Sequence, residues 1–288
     1  MTTFKCSFLS LLLTSCLWAC GGDDGSDPNT GTGAGGNAGQ GGGSGGTAGQ
    51  VGGTGGTPGV GTGGSPGAGG ASGGGGDSIY SVKEGRLADD TLVTVDGVIT
   101  ALRLNADGRY SHMVLQIAED NGSYQSVENS GLWIYLNNTD MESLRDTPPA
   151  VGSWVSVMGK VNNFYDQWQI QHVERLDVLG QGTLPTPIVV DAAEIATGGA
   201  RAWALEGSLV TVQNVEVTQV EPEAGPGDGQ DGAPTNEFVV TGNLRVDDYF
   251  YLKSPLPSVG DSFQSITGVL RYGNAHSKIE PRDANDYR

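Results

Sequence analysis

The chain has three cysteines in 288 residues, and all of them, Cys6, Cys16 and Cys20, fall in the first twenty positions. Nothing after residue 20 can form a disulfide, a thiolate metal site or a cysteine nucleophile. Basic residues are also scarce. After Gly76, fourteen bases face thirty acids, a net charge of −16, since only Lys5, Asp23, Asp24 and Asp27 precede it. Nucleic-acid binders normally carry a basic footprint, because phosphate contacts supply much of their affinity. The charge therefore disfavours nucleic acid as a partner. The three histidines, His112, His172 and His276, form no H-x-x-x-H pair, the helical ligand spacing of many metal sites. There is no G-x-S-x-G, no P-loop and no dinucleotide fingerprint. No cofactor is expected, and the chain does not read as an enzyme.

Long apolar runs are missing as well. The longest, residues 8–18, falls short of the roughly 20 residues needed to span a bilayer as a helix. It follows Lys5 and precedes Leu17-Trp18-Ala19-Cys20, so residues 1–20 read as a signal peptide. That tetrad resembles the lipobox of bacterial lipoproteins. The resemblance implies that Cys20 carries a lipid and anchors the chain to a membrane, and Gly21 after it points to the outer membrane. Residues 21–76 hold more than half of the 49 glycines, with Thr, Ser, Ala, Asn and Pro among them. So few apolar side chains cannot offset the entropy of ordering, and the segment reads as a disordered tether. A Gly-rich coil of this length spans roughly 40 Å.

A repeat organises what remains. Leu92-Val93-Thr94-Val95-Asp96-Gly97-Val98-Ile99-Thr100 returns as Leu209-Val210-Thr211-Val212-Gln213-Asn214-Val215-Glu216-Val217. Val151-Gly152-Ser153-Trp154-Val155 is answered by Val259-Gly260-Asp261-Ser262-Phe263. A period of roughly 110 residues suits a small domain rather than a solenoid unit. In both copies the apolar alternation changes phase, at Asp96-Gly97 and at Gln213-Asn214, which predicts a β-bulge and a bent first strand. In copy one, strands are expected over residues 110–118, 131–136, 151–161 and 167–179. A short helix is expected from the capping-box pattern Thr139-Asp140-Met141-Glu142. Copy two should show a hairpin of residues 237–241 and 244–252 and strands over 263–271 and 277–281. Pro255 and Pro257 stand where the helix of copy one lies, so that helix is expected to be missing. Asp191-Ala192-Ala193-Glu194 starts a short helix of its own.

Three strands, a short helix and two strands is the OB order. The pieces Leu205-Glu206-Gly207-Ser208-Leu209-Val210, Leu244-Arg245-Val246-Asp247-Asp248 and Ile279-Glu280-Pro281-Arg282-Asp283 resemble tandem OB-fold modules of exported bacterial proteins. The fold class is all-β, with two tandem OB-fold-like five-stranded barrels after a disordered Gly-rich tether. The domains are expected at 77–184 and 185–288.

Two places suggest a ligand. OB barrels bind on the face of strands two and three, flanked by the loops after strands one and four. That region would gather the aromatics Trp133, Tyr135, Phe164, Tyr165 and Trp168, and aromatic faces stack on sugar rings and bases. The competing reading is that Trp133 and Tyr135 pack inside the barrel; Leu132, Ile134 and Leu136 are equally apolar on the opposite face, so alternation does not decide. In the second copy, Asp228-Gly229-Gln230-Asp231-Gly232 offers Asp228 and Asp231 as oxygen ligands for calcium, without EF-hand spacing. The expected function is a non-catalytic, surface-anchored binding or adaptor module for a glycan or protein. A nucleic-acid-binding OB module and an uncharacterised hydrolase are the alternatives.

Overall fold

The computed structural model describes residues 78–229 and 232–288. They belong to a unit spanning Gly75–Arg288. The signal peptide, Cys20, the Gly-rich tether and Asp231 lie outside the described residues.

A helix that the sequence reading did not anticipate comes first. α1 (Ile79–Lys83) is capped by Ser78, whose hydroxyl accepts from the Ser81 amide at 3.2 Å. It buries Ile79, Tyr80 and Val82 in the core of the first barrel. Strands β1 (Leu92–Leu104), β2 (Tyr110–Gln116) and β3 (Gly131–Tyr135) follow, then helix α2 (Ser143–Asp146), then β4 (Ser153–Phe164) and β5 (Gln167–Gln181). They close in the order β1-β2-β3-β5-β4, antiparallel except for β3 and β5. Val93, Val95, Leu115, Leu132, Ile134, Val157 and Ile170 fill the interior. Burying each such side chain contributes about 1.5–3 kcal/mol.

Two local expectations shift. The bend of β1 is not at Asp96-Gly97, because the ladder with β4 runs unbroken from Leu92 to Val98. Gly97 instead continues the inward alternation and sits where an added Cβ would lie 3.0 Å from Leu115 Cβ. The register slips at Thr100, against β2. The capping box of Thr139 also fails to form. Thr139 Oγ1 accepts from the Met141 amide and donates to the Val173 carbonyl, so it ties a turn to β5, and the helix starts later.

The second barrel repeats the plan. A short strand β6 (Ile188–Val189) and helices α3 (Ala192–Ile195) and α4 (Ala202–Leu205) lead into β7 (Leu209–Val220), β8 (Phe238–Val240), β9 (Leu244–Val246), β10 (Ser262–Gly273) and β11 (His276–Glu280). The barrel closes through β10 and β7, with β9 and β11 parallel, and β6 adds to β7. Asp191 caps α3 as expected, its carboxylate accepting from the Ala193 amide at 2.9 Å. No helix lies between β9 and β10. In β7 the burial does change phase, since Val210 and Val212 are buried, then Val215 and Val217, and Asn214 between them has φ of 52°. The ladder with β10 nevertheless keeps one register from Leu209 to Glu216, so the expected bulge is not there, and the register slips instead at Thr218, against β8. Each barrel is the five-stranded Greek-key closure of the OB fold.

The two barrels share a seam. Gly131 and Gly207 bring their backbones so close that a Cβ on Gly131 would lie 2.1 Å from the Gly207 carbonyl carbon. Gln116 bridges the gap, donating to Ser130 Oγ and accepting from the Leu209 amide. The Asn129 amide donates to the Ala204 carbonyl at 2.6 Å. Lys83 and Glu206, both fully buried, form an ion pair of 2.6 Å from α1 to the approach of β7.

Candidate functional site

The outer face of β2 and β3 is the place where an OB ligand was expected. Register sets His112 opposite Tyr135 and Val114 opposite Trp133. Leu132 and Ile134 point into the barrel, so Trp133 points out. It is nevertheless 0% exposed, because the second barrel covers it. The expected strand over residues 244–252 stops at Val246. The Asp247 amide donates to the Ile279 carbonyl, and the chain then leaves the sheet. Tyr249 and Phe250 cross to the first barrel, and Leu209 and Val269 complete the cover. Phe250 stacks on Trp133 with 5.8 Å between ring centroids, and Tyr249 meets its edge at 5.7 Å. Trp133 is therefore withdrawn from any ligand by contact with the molecule's own second copy. Tyr135 is half-buried, its ring 5.0 Å from that of His112.

Charge surrounds this aromatic seam. The guanidinium carbons of Arg103 and Arg271 lie 3.9 and 3.8 Å from the Tyr249 ring centroid, a geometry in which the ring quadrupole attracts both cations. The Tyr249 hydroxyl is 2.9 Å from His112 Nδ1. Burial, then Arg271 and Arg103, holds the His112 pKa well below the ordinary imidazole range, which leaves it neutral.

The matching face of the second barrel is charged. The buried Lys278 ammonium donates to Glu237 Oε1 and to Asp247 Oδ2 at 3.1 Å, and it lies 3.4 Å from Asn274 Oδ1 and 3.5 Å from Asp228 Oδ2, which share its third proton. Burial would lower its pKa, but Asp247, Glu280 and Glu237 outweigh burial and raise it. Arg245 bonds the other oxygen of Glu237 at 2.8 Å and the Glu223 carbonyl at 2.9 Å. Burial also pushes Glu280 well above the usual carboxyl range, and Asp247 adds to it. Asp248 is raised to about 6, by burial first and by Asp247 second.

Asp228, expected as a calcium ligand, thus faces an ammonium; its other oxygen accepts from the Gly229 amide. Among the described residues no group of three or more His, Cys, Asp or Glu is placed to hold a metal.

Of the five expected aromatics, two stay open together. β4 and β5 join through Tyr165 and Asp166, with φ of 47° and 69°, and Phe164 pairs with Gln167 across the turn. This is the two-residue hairpin whose twist matches its strands. The Asp166 amide donates to Asn163 Oδ1, and the Asn163 amide to Asp89 Oδ1. A bulky side chain in the left-handed region is an outlier, and the hairpin holds Tyr165 there with 83% of its surface exposed. Phe164 is 55% exposed and meets Tyr165 edge to face at 4.7 Å. Trp168 does not join them: it is half-buried against the first core and covers Gly85.

The sequence reading missed Arg103, Tyr249, Phe250 and Arg271. The signal was the run Tyr249-Phe250-Tyr251 directly after two aspartates, too aromatic for a strand with a solvated face.

No family model and no curated protein matches this sequence. Solved structures match parts of it. The hypothetical protein ygiW from E. coli is 20% identical over 37% of this chain and 91% of its own, with a TM-score of 0.25. The mitochondrial single-stranded DNA binding protein Rim1 from S. cerevisiae is 14% identical over 33% of this chain and 100% of its own, with a TM-score of 0.24. The second OB-fold domain of replication protein A from Methanococcus maripaludis is 15% identical over 34% of this chain and 92% of its own, with a TM-score of 0.21. At these identities and scores, what those proteins bind says nothing about the ligand of this chain.

Proposed function

We propose that this chain is a non-catalytic, lipid-anchored binding or adaptor module of the bacterial outer membrane, and that the tip of the β4–β5 hairpin contacts an extracellular glycan or protein. The observation that carries the reading is the exposed pair Phe164 and Tyr165, fixed by a tight turn. Aromatic rings held rigidly in water offer contact area at low entropic cost, and they stack on sugar rings or fill a partner's pocket. The anchor rests on the lipobox resemblance around Cys20. Nucleic acid is disfavoured by the net charge of −16 after Gly76 and by the covered β2–β3 face of the first barrel.

The test is to screen the parent, Phe164→Ala and Tyr165→Ala on glycan, protein and oligonucleotide arrays, with circular dichroism to confirm the fold. Loss of glycan or protein binding in both variants supports the reading. Equal binding by parent and variants removes the tip from the site, and a preference for oligonucleotides overturns the ligand class. Labelling with a palmitate analogue, abolished by Cys20→Ala, tests the anchor.

A further inference from the structure

β5 extends past the barrel that it closes. Its early residues lie between two strands, with Gln169 and Ile170 beside Trp133 and Ile134 of β3. The Val173 carbonyl is still engaged, accepting from the Asp140 amide and from Thr139 Oγ1. From Glu174 onward, β4 is the one strand beside it among the described residues. Arg175 stands opposite Met158, Leu176 opposite Val157, Asp177 opposite Ser156 and Val178 opposite Val155. The register slips before Gly180. The result is an open strand edge of residues 174–178. Val178 is 59% exposed, and the side chains of Arg175 and Asp177 are 57% and 54% exposed.

An open edge is a template for another strand, and proteins usually blunt it with charge. The charges here are of opposite sign and spaced so that the edge complements itself. Lay a second copy antiparallel with Leu176 opposite Leu176. Arg175 of each copy then stands opposite Asp177 of the other, and Glu174 stands opposite Val178. Opposite charges directly across a ladder stabilise it, and like charges destabilise it. Shifting the register by one residue sets Asp177 opposite Leu176 in one direction and Glu174 opposite Asp177 in the other. The first loses both ion pairs, and the second creates two repulsions. Arg175 and Asp177 share a face, and within one chain they pair with each other at 3.0 Å. Pairing between copies exchanges the one such contact in each copy for two across a twofold axis. The bonded Val173 at one end and the register slip at the other limit the ladder to the same five residues in each copy, as an isologous contact requires.

We propose that residues 174–178 of β5 form a homodimer interface, in which two copies pair antiparallel about a twofold axis through Leu176. The occupant is a second copy because the edge complements its own sequence in that one register. So short a ladder makes a weak dimer, in the class of interfaces below about 1,200 Å².

Sedimentation equilibrium of the full-length chain, in detergent and under reducing conditions, tests this over a concentration series. The parent mass should rise toward twice the monomer. Arg175→Asp and Asp177→Arg each place like charges across the axis, and each should raise the dimer dissociation constant about tenfold. The combined variant R175D/D177R restores opposite charges and should return close to the parent. A parent that stays monomeric at every concentration overturns the proposal. Single variants that dimerise like the parent also overturn it, as does a combined variant no tighter than the single ones. The Phe164 and Tyr165 screen does not depend on this outcome, because the hairpin tip lies beyond this edge.

Discussion

The indole of Trp133 and the ring of Phe250 lie 4° from parallel, one from each barrel. Aromatic pairs contribute about 0.5–1.5 kcal/mol beyond their area, and truncating a large buried aromatic costs about 3–5 kcal/mol. Phe250 is half-buried, so Phe250→Ala should cost about 2–3 kcal/mol, or roughly 4–12 °C in melting temperature for a unit of this size. It should also shift Trp fluorescence to the red, because Trp133 loses its cover. An unchanged melting temperature would deny the contact its role.

The Lys83–Glu206 pair should behave asymmetrically. Removing one partner leaves a buried charge without compensation, at a cost of about 3–5 kcal/mol. Replacing both with apolar residues removes that penalty. Glu206→Gln should therefore destabilise strongly, and Lys83→Met with Glu206→Leu should recover most of the loss in urea denaturation. Equal losses in both variants would show that the pair gains more from its charges than burial takes away.

Asp248 makes stability depend on pH. Its folded-state pKa is about 6, above the 3.8 of an ordinary Asp carboxyl, so between those values the folded state holds the proton more tightly than the unfolded state. Stability from this group is then greatest at low pH and is lost as pH rises through about 6. Asp248→Asn keeps an acceptor for Asn236 Nδ2, which donates to Asp248 Oδ2 at 2.9 Å, and it cannot ionise. The variant should gain on the parent as pH rises from about 4 to above 6. Parallel melting curves across that range would exclude the effect.

Gly97→Val tests the corrected reading of β1. The glycine faces inward, and a Cβ would meet Leu115 Cβ at 3.0 Å and Ile79 Cδ1 at 3.3 Å. Overpacking of this kind costs about 1–3 kcal/mol. The substitution should lower the melting temperature through crowding, and Ile79→Val, which removes the Cδ1 atom in its way, should partly rescue it. No rescue would point to the backbone instead.

Strand order was legible because local patterns encode it: alternation in β1, β2 and β4, the Asp191 cap, and the prolines that replace a helix before β10. The seam was not legible. β3 is apolar on both faces, and alternation does not tell an interior from an exterior that another domain covers. The same limit hid Lys278 and Glu280, two charged residues that are fully buried; the carboxylates of Asp228, Glu237 and Asp247 that face Lys278 come from segments distant in sequence. The misplaced bulge in β1 has a simpler cause. Val98 is apolar but packs outside the barrel, against Gly182 and Trp154, and this imitates a change of phase.

The cover over Trp133 also bears on how this molecule can be taken apart. The chain carries two barrels of one plan, yet one sits on the other as a bound guest would. A fragment ending near Gly182 would not be half of the protein. It would carry a bare patch of His112, Val114, Trp133 and Tyr135, with Lys83 stripped of its counter-ion, and its first tendency in water would be to stick to itself.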